Sequence, residues 1–273
     1  MTLAAGSLPW SAHIRRGSVS MLAVMRAALF LVLAACMPAK AVERIIFLTF
    51  DDGPLNGTRN VLDVLEAQQV PAAMFMVGQH VLANPERGAL LKRAKSLPMV
   101  TVGNHSFSHA NNRYERFYAD TENVVADMLK ANTVLGLKTP PSIPARLPGR
   151  DVFRLQYMSR DDFGLSLEQA QREQVDFEFV AASGFQLYGW DFEWVHDSSG
   201  KPVQSVERLI DEIGHLFAAR RTIGKNKLIL LMHDEMFQDV FQGKDKLTAL
   251  IAGLRAKGYA FGHIADYDTE ASP

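Results

Sequence analysis

A chain of 273 residues with 48% hydrophobic content can bury one sizeable core, so a single folded domain is expected. Its formal net charge of -1 supplies no whole-protein field to hold nucleic acid or an anionic membrane. The lone cysteine, Cys36, excludes an internal disulfide and a cysteine-built zinc site.

At the N-terminus, Arg15, Arg16 and Arg26 precede the apolar stretch Ala27 to Ala35, followed by Met37-Pro38-Ala39-Lys40-Ala41. A charged start, a short apolar run and a small-x-small site form the pattern of a secretory signal, with cleavage after Ala41. The apolar run is too short to span a membrane. Leu33-Ala34-Ala35-Cys36 also fits a lipoprotein signal, in which Cys36 becomes a lipidated first residue. Either route puts the mature protein outside the cytoplasm, secreted, periplasmic or lipid-anchored. Residues 1–41 are therefore read as signal and 42–269 as the functional domain.

Beyond the leader, short apolar runs at Ile45 to Phe50, Ala72 to Val77, Met99 to Val102, Gln186 to Trp190, Lys227 to Met232 and Tyr259 to Ile264 predict strands. Unbroken runs of this kind suit parallel strands covered on both faces. Between them, amphipathic patterns predict helices on Val61, Leu62, Val64 and Leu65; on Val124, Val125, Met128 and Leu129; on Leu209, Ile210, Ile213 and Phe217; and on Leu247, Leu250, Ile251 and Leu254. Ser205 is placed to cap the third, and Gly258 to close the last. The stripes are read as core. Alternating β and α implies an α/β fold with a parallel sheet, whose sites gather at the C-terminal ends of the strands. Asp51, His105, Arg146, Trp190 and His233 all fall there. Residues 150–185 mix charges with Phe153, Tyr157, Phe163, Phe177 and Phe179, and suit either a surface helix with its own cover or a wall of a substrate groove.

The chemistry-bearing residues occur in three places. Thr49-Phe50-Asp51-Asp52-Gly53-Pro54 follows the first strand, His105-Ser106-Phe107-Ser108-His109 the third, and His233-Asp234 ends a later apolar run. A lone Asp-Asp-Gly-Pro would read as a turn. A His-x-x-x-His alone is a weak signal, and here it lacks the intervening glutamate of a metalloprotease. Together they supply two imidazoles and a carboxylate, the donor set of hydrolytic metal sites with open positions. Adjacent carboxylates repel, so a cation or an arginine is expected beside Asp51 and Asp52. Of the other histidines, His80, His215 and His263 are read as structural, while His196 is near enough to Trp194 to reach the cleft.

On these motifs the chain resembles the polysaccharide deacetylases of carbohydrate esterase family four, from about residue 44 to about residue 268. Residues 49–54 match the family's first motif without change, His105 to His109 its second, and Leu228 to Asp234 its fifth. Two motifs depart. The third reads Arg146-Leu147-Pro148-Gly149, where the family carries an aromatic residue after the proline. The fourth reads Trp190-Asp191-Phe192-Glu193-Trp194 in place of Asp-x-x-Asp-Trp. The resemblance implies an irregular (β/α)7 barrel of parallel strands, and a hydrolase that removes N-acetyl groups from an amino-sugar polysaccharide by attack of metal-bound water. It implies that Asp52, His105 and His109 hold one divalent metal, zinc first, with cobalt, manganese or nickel as substitutes. It further implies Asp51 as base steadied by Arg146, and His233 as acid supported by Glu193 or else Asp191. Hydrolysis of a non-carbohydrate amide or imide, and glycan binding without catalysis, are the alternatives. The expected partner is a polysaccharide or oligosaccharide, with no nucleic acid and no membrane contact other than the leader or a lipid on Cys36.

Overall fold

The computed structural model describes Thr2 and residues 43–138 and 142–268. The signal expected over residues 1–41, with Cys36 and the cleavage after Ala41, lies outside the described residues. The elements of the described residues begin with strand β1 (Ile45–Asp51), then α1 (Thr58–Gln68), β2 (Ala72–Met76), α2 (Gly78–Leu82), α3 (Pro85–Ser96) and β3 (Val100–Asn104). There follow α4 (Tyr114–Phe117), α5 (Thr121–Leu135), β4 (Ile143–Ala145), β5 (Phe153–Arg154), β6 (Ser159–Arg160), α6 (Leu167–Ala182), β7 (Phe185–Leu187) and β8 (Phe192–Glu193). The last elements are α7 (Val206–Ala218), β9 (Lys227–His233), α8 (Gly243–Ala256) and β10 (Ala260–Phe261).

The strands form one curled sheet in the order β6-β5-β7-β4-β3-β2-β1-β9-β8, with β10 pairing the start of β1. Every pairing is parallel except those of β5 with β6 and β7. β1 and β9 run in register from Ile45↔Lys227 to Asp51↔His233. Successive side chains of a strand alternate between its two faces. Ile46, Leu48 and Phe50 of β1 thus join Leu228, Leu230 and Met232 of β9 in the core beneath the helices. Phe47 and Ile229 point inside the curl with Phe75, Phe153 and Tyr188. By the same alternation, Asp51 and His233 fall on the inner face, at the strand ends where that apolar filling stops. The fold of residues 43–268 is a single irregular (β/α)7-type half-barrel, as expected.

The local signals explain most element ends. Ser205 caps α7 through the Arg208 N–H at 3.3 Å, and Gly258 follows α8 at φ 82°, as expected. Ser166 and Gln169 form a reciprocal capping box at the start of α6. The strand expected over Gln186 to Trp190 stops at Leu187. Its continuation is diverted, because the Trp190 N–H donates to Asp151 Oδ1 at 2.9 Å and not to a neighbouring strand. Only Ala260–Phe261 of the expected Tyr259 to Ile264 strand pairs with β1. Residues 150–185 hold the expected helix, α6, preceded by a short antiparallel hairpin of β5 and β6 that was not expected. Ion pairs lock them together: Arg150 is bidentate to the buried Glu173 at 2.6 and 3.0 Å, and Arg154 reaches Glu178 at 2.8 Å. Among the described residues, no helix is long and apolar enough to cross a membrane.

Candidate metal centre and acid–base pair

Strand ends bring the motif residues together. Asp51 ends β1 and Asp52 follows it; His105 follows β3, Arg146 follows β4, and His233 ends β9. Asp51, Asp52, His105 and His233 line a cavity of about 400 Å³ together with His109, Tyr114, Gly149, Asp162, Trp190, Glu193 and His196. A larger hollow of about 630 Å³ lies outside the histidine loop, lined by Ser108, Arg113, Arg116 and Asp127, but none of the convergent groups opens into it.

Arg146 is fully buried and holds Asp51 from below. Its Nη1 donates to Asp51 Oδ1 at 2.8 Å and Thr49 Oγ1 at 2.9 Å, its Nε to Tyr188 O at 3.0 Å, and its Nη2 to Gly189 O at 2.8 Å. The guanidinium also lies 4.5 Å over the Phe75 ring. Such a fixed fork is what a planar guanidinium supplies and an ammonium does not.

Asp52 turns away from that arginine. Its Oδ1 lies 3.1 Å from His109 Nε2 and 3.5 Å from His105 Nε2, yet this buried oxygen has no hydrogen-bond partner. His105 Nδ1 sits 2.7 Å from the Arg146 carbonyl, which can only accept, so that nitrogen carries a proton and Nε2 presents its lone pair when the ring is neutral. His109 Nδ1 faces Asn112 Oδ1 at 3.2 Å in the same sense. Two imidazole lone pairs and a carboxylate oxygen therefore face one point, their atoms within 4.8 Å of one another. That arrangement repels itself unless a cation lies between, and the outer bonds are those that orient metal-binding histidines. The residues fit a divalent metal.

Burial pushes the Asp52 carboxyl up, but His105, then the charges of His109 and His233, outweigh it and hold the group below the usual carboxylate range. Burial also opposes a charge on His105, yet Asp51 and Asp52 raise it. His109 is lowered by burial and by His105, which keeps its lone pair available.

The loops that carry the ligands hold uncommon backbone conformations. Asp52 has φ 71° and His109 φ 49°, a region costly to residues other than glycine. His80 holds the first: its Nδ1 is 2.6 Å from the Asp52 carbonyl. This histidine, expected only to be structural, positions a candidate ligand. Asp127 holds the second loop by accepting from the N–H groups of Phe107 and Ser108 at 2.8 and 3.0 Å. Neither has a motif-like signature, because each acts from a helix through a backbone group distant in sequence. Beneath them, buried Asp234 accepts from Thr58, and a Cβ on Gly53 would strike the Asp234 carboxylate. Burial raises the Asp234 carboxyl to about 8, with the charges of Asp52 and Asp51 adding to the rise.

The expected partner of His233 needs correction. Asp191 does not pair with it: its Oδ2 accepts from the Ile229 N–H at 2.7 Å and its Oδ1 from the Ile223 N–H at 2.5 Å. Asp191 ties the β8 approach to β9. Glu193 lines the same cavity as His233, but His233 Nδ1 is buried without a hydrogen-bond partner, so neither acid bonds it there. The ring nearest His233 is His196, packed edge-on at 4.8 Å, with its Nε2 3.6 Å from Glu235. Asp191 also makes stability pH-dependent. Burial raises its carboxyl from 3.8 to about 6, so the native state holds the proton more tightly than the unfolded chain. The resulting stability is present below about pH 4 and lost as pH rises through about 6, roughly 3 kcal/mol in all. Denaturant titrations at pH 4 and 7 should show the parent losing this much relative to Asp191→Asn. An equal gap between the two proteins at both values would refute the assignment.

A family model described as polysaccharide deacetylase matches residues 39–148. A putative polysaccharide deacetylase of Bacillus subtilis, YheN, is 28% identical over 231 residues, covering 82% of this chain and 68% of its own. The peptidoglycan-N-acetylglucosamine deacetylase of Bacillus cereus is 25% identical, covering 80% of this chain and 68% of its own. Among solved structures, a carbohydrate esterase family four esterase of Streptococcus mutans superposes with a TM-score of 0.58 at 24% identity, over 81% of this chain and 86% of the other. The chain is thus similar to polysaccharide deacetylases, by the family model over residues 39–148 and by these relatives over most of its length.

Proposed function

We propose that the protein is a metal-dependent N-deacetylase of an acetylated amino-sugar polymer. The observation that carries this reading is the buried, unpartnered Asp52 oxygen facing two imidazole nitrogens, beside an aspartate held by a buried arginine. Asp52, His105 and His109 would hold the metal, zinc first and cobalt, manganese or nickel in its stead. Once bound, a divalent ion supplies a Lewis acid that acidifies water and polarises the acetamide carbonyl.

The chain's own groups handle the protons. Asp51 has Oδ1 tied to Arg146, which leaves Oδ2 to take the proton of the attacking water. As the water oxygen joins the carbonyl carbon, the C–N bond breaks, and His233 gives the departing sugar nitrogen its proton. Acetate and a free amine result. Trp190 and Tyr114 offer aromatic faces in the same cavity, suited to the apolar face of a sugar ring. Export accompanies this reading, on the strength of the apolar stretch Ala27 to Ala35 and the small-x-small site before residue 42.

The test measures acetate release from acetylated chitin-type oligosaccharides, peptidoglycan and exopolysaccharide, against a panel of small amides and imides. Activity should appear on at least one glycan, vanish on chelation and return with zinc or cobalt. Turnover confined to the small amides, or full activity in metal-free protein, would sink the proposal.

A further inference from the structure

Two tyrosines one helical turn apart on α4 and its C-terminal cap have opposite surroundings. Tyr118 is fully buried, and its hydroxyl donates to the Pro148 carbonyl at 2.8 Å. That bond fastens α4 to the Arg146-Leu147-Pro148-Gly149 loop. Tyr114 is half-buried, lines the cavity, and makes no hydrogen bond through its hydroxyl among the described residues. Its ring stands edge-on to His109, with centroids 6.0 Å apart, so it borders the candidate metal centre.

The surroundings of Tyr114 are built to hold that ring in place. Gly149 has φ 63°, and a Cβ there would come within 3.1 Å of Tyr114 Cε1 and 3.2 Å of Cζ. Any side chain at 149 would push the ring aside, so both the backbone conformation and the close approach call for glycine. The Arg150 guanidinium lies 5.7 Å over the Tyr114 ring and 4.5 Å over that of Tyr118. Arg150 is itself fixed by two bonds to buried Glu173. A prepared clamp of Gly149, Arg150 and the Tyr118–Pro148 bond thus presents a phenol whose hydroxyl is free. Burial and the Asp52 charge raise this phenol above its ordinary value, leaving a donor at neutral pH.

We infer that Tyr114 is a further substrate-contacting residue, whose hydroxyl donates a hydrogen bond to the acetamide oxygen as that oxygen gains charge. The inference rests on the deacetylase reading. A donor aimed at developing charge lowers the barrier more than it tightens ground-state binding. Its removal therefore acts on kcat.

Tyr114→Phe keeps the ring, the clamp and the metal ligands, and removes the hydroxyl alone. On the glycan that the parent deacetylates, kcat should fall roughly 10²-fold, the usual loss for one such donor, with KM little changed. Zinc binding, measured by titration calorimetry, should equal that of the parent. Gly149→Ala should also lower kcat in the parent, and lower it less in a Tyr114→Ala background, where the added methyl has room. Unchanged kcat in an active Tyr114→Phe protein would overturn the inference and leave the deacetylase reading standing. A rise in KM alone would overturn the assignment to the acetamide oxygen. A parent that releases acetate from no glycan would fail the reading itself, and the inference with it.

Discussion

Asp51→Asn is expected to retain its metal and lose roughly 10²–10⁴-fold in turnover, the range for general acid–base help. The two adjacent aspartates differ in what they face. Asp51 Oδ1 is held by Arg146 at 2.8 Å, while Asp52 Oδ1 faces His109 and His105 with no partner of its own. An amide at 51 still accepts from the arginine and leaves the three ligand atoms in place. An amide at 52 removes the only anionic donor from the ligand set, so Asp52→Asn should lose metal and turnover together. His233→Ala should behave like Asp51→Asn, since His233 is not among the ligand group. Metal content by plasma emission, read beside acetate release, decides the matter. Loss of metal from Asp51→Asn with retention in Asp52→Asn would exchange the two roles. Retention of metal and activity in both would remove the proposed site.

The largest effect on stability is expected at Arg146. Replacing it by methionine leaves Asp51 buried without its counter-charge and takes hydrogen bonds from Thr49, Tyr188 O and Gly189 O. Breaking one side of a buried ion pair costs about 3–5 kcal/mol. Arg146→Lys keeps the charge but cannot reach the carboxylate, the hydroxyl and two carbonyls at once, so it should recover only part of the loss. Urea titrations of the parent and both variants at neutral pH read this directly. A methionine variant within about 1 kcal/mol of the parent would show that Asp51 is not left as an uncompensated buried charge, and would overturn the expectation.

How much of this was legible in the sequence depended on the range of the interaction. Asp51, Asp52, His105, His109 and His233 could be singled out because each sits in a short motif at the end of an apolar strand run. The placement of Arg146 against Asp51 came from the resemblance, since 95 residues separate the two and no local pattern joins them. Asp191 and Glu193 are two residues apart in the fourth motif, which made both candidates for His233. What separates them is a pair of backbone N–H groups on Ile223 and Ile229, invisible to side-chain spacing. The hairpin of β5 and β6 has two residues per strand, too few to show a period. Helix α3 escaped for a related reason: only Leu90, Leu91 and Ala94 are buried along Pro85–Ser96, so it has no apolar stripe. Tyr114 and His80 act through backbone or ring contacts with loops elsewhere in the chain, and nothing beside them announces it.

The register of β1 against β9 has a consequence for how this active site can change. Asp51 and His233 are Cα partners on adjacent parallel strands. The interval between the two groups proposed to handle protons is thus set by the spacing of hydrogen-bonded strands, about 4.8 Å, and not by any loop. A slip of one residue in either strand would turn one of them to the opposite face of the sheet. The sheet serves as a ruler for the proposed reaction, leaving exposed side chains such as Tyr157 and Phe163 free to change. On the deacetylase reading, selection for a new polymer can therefore work on exposed side chains around the site without resetting the distance between Asp51 and His233.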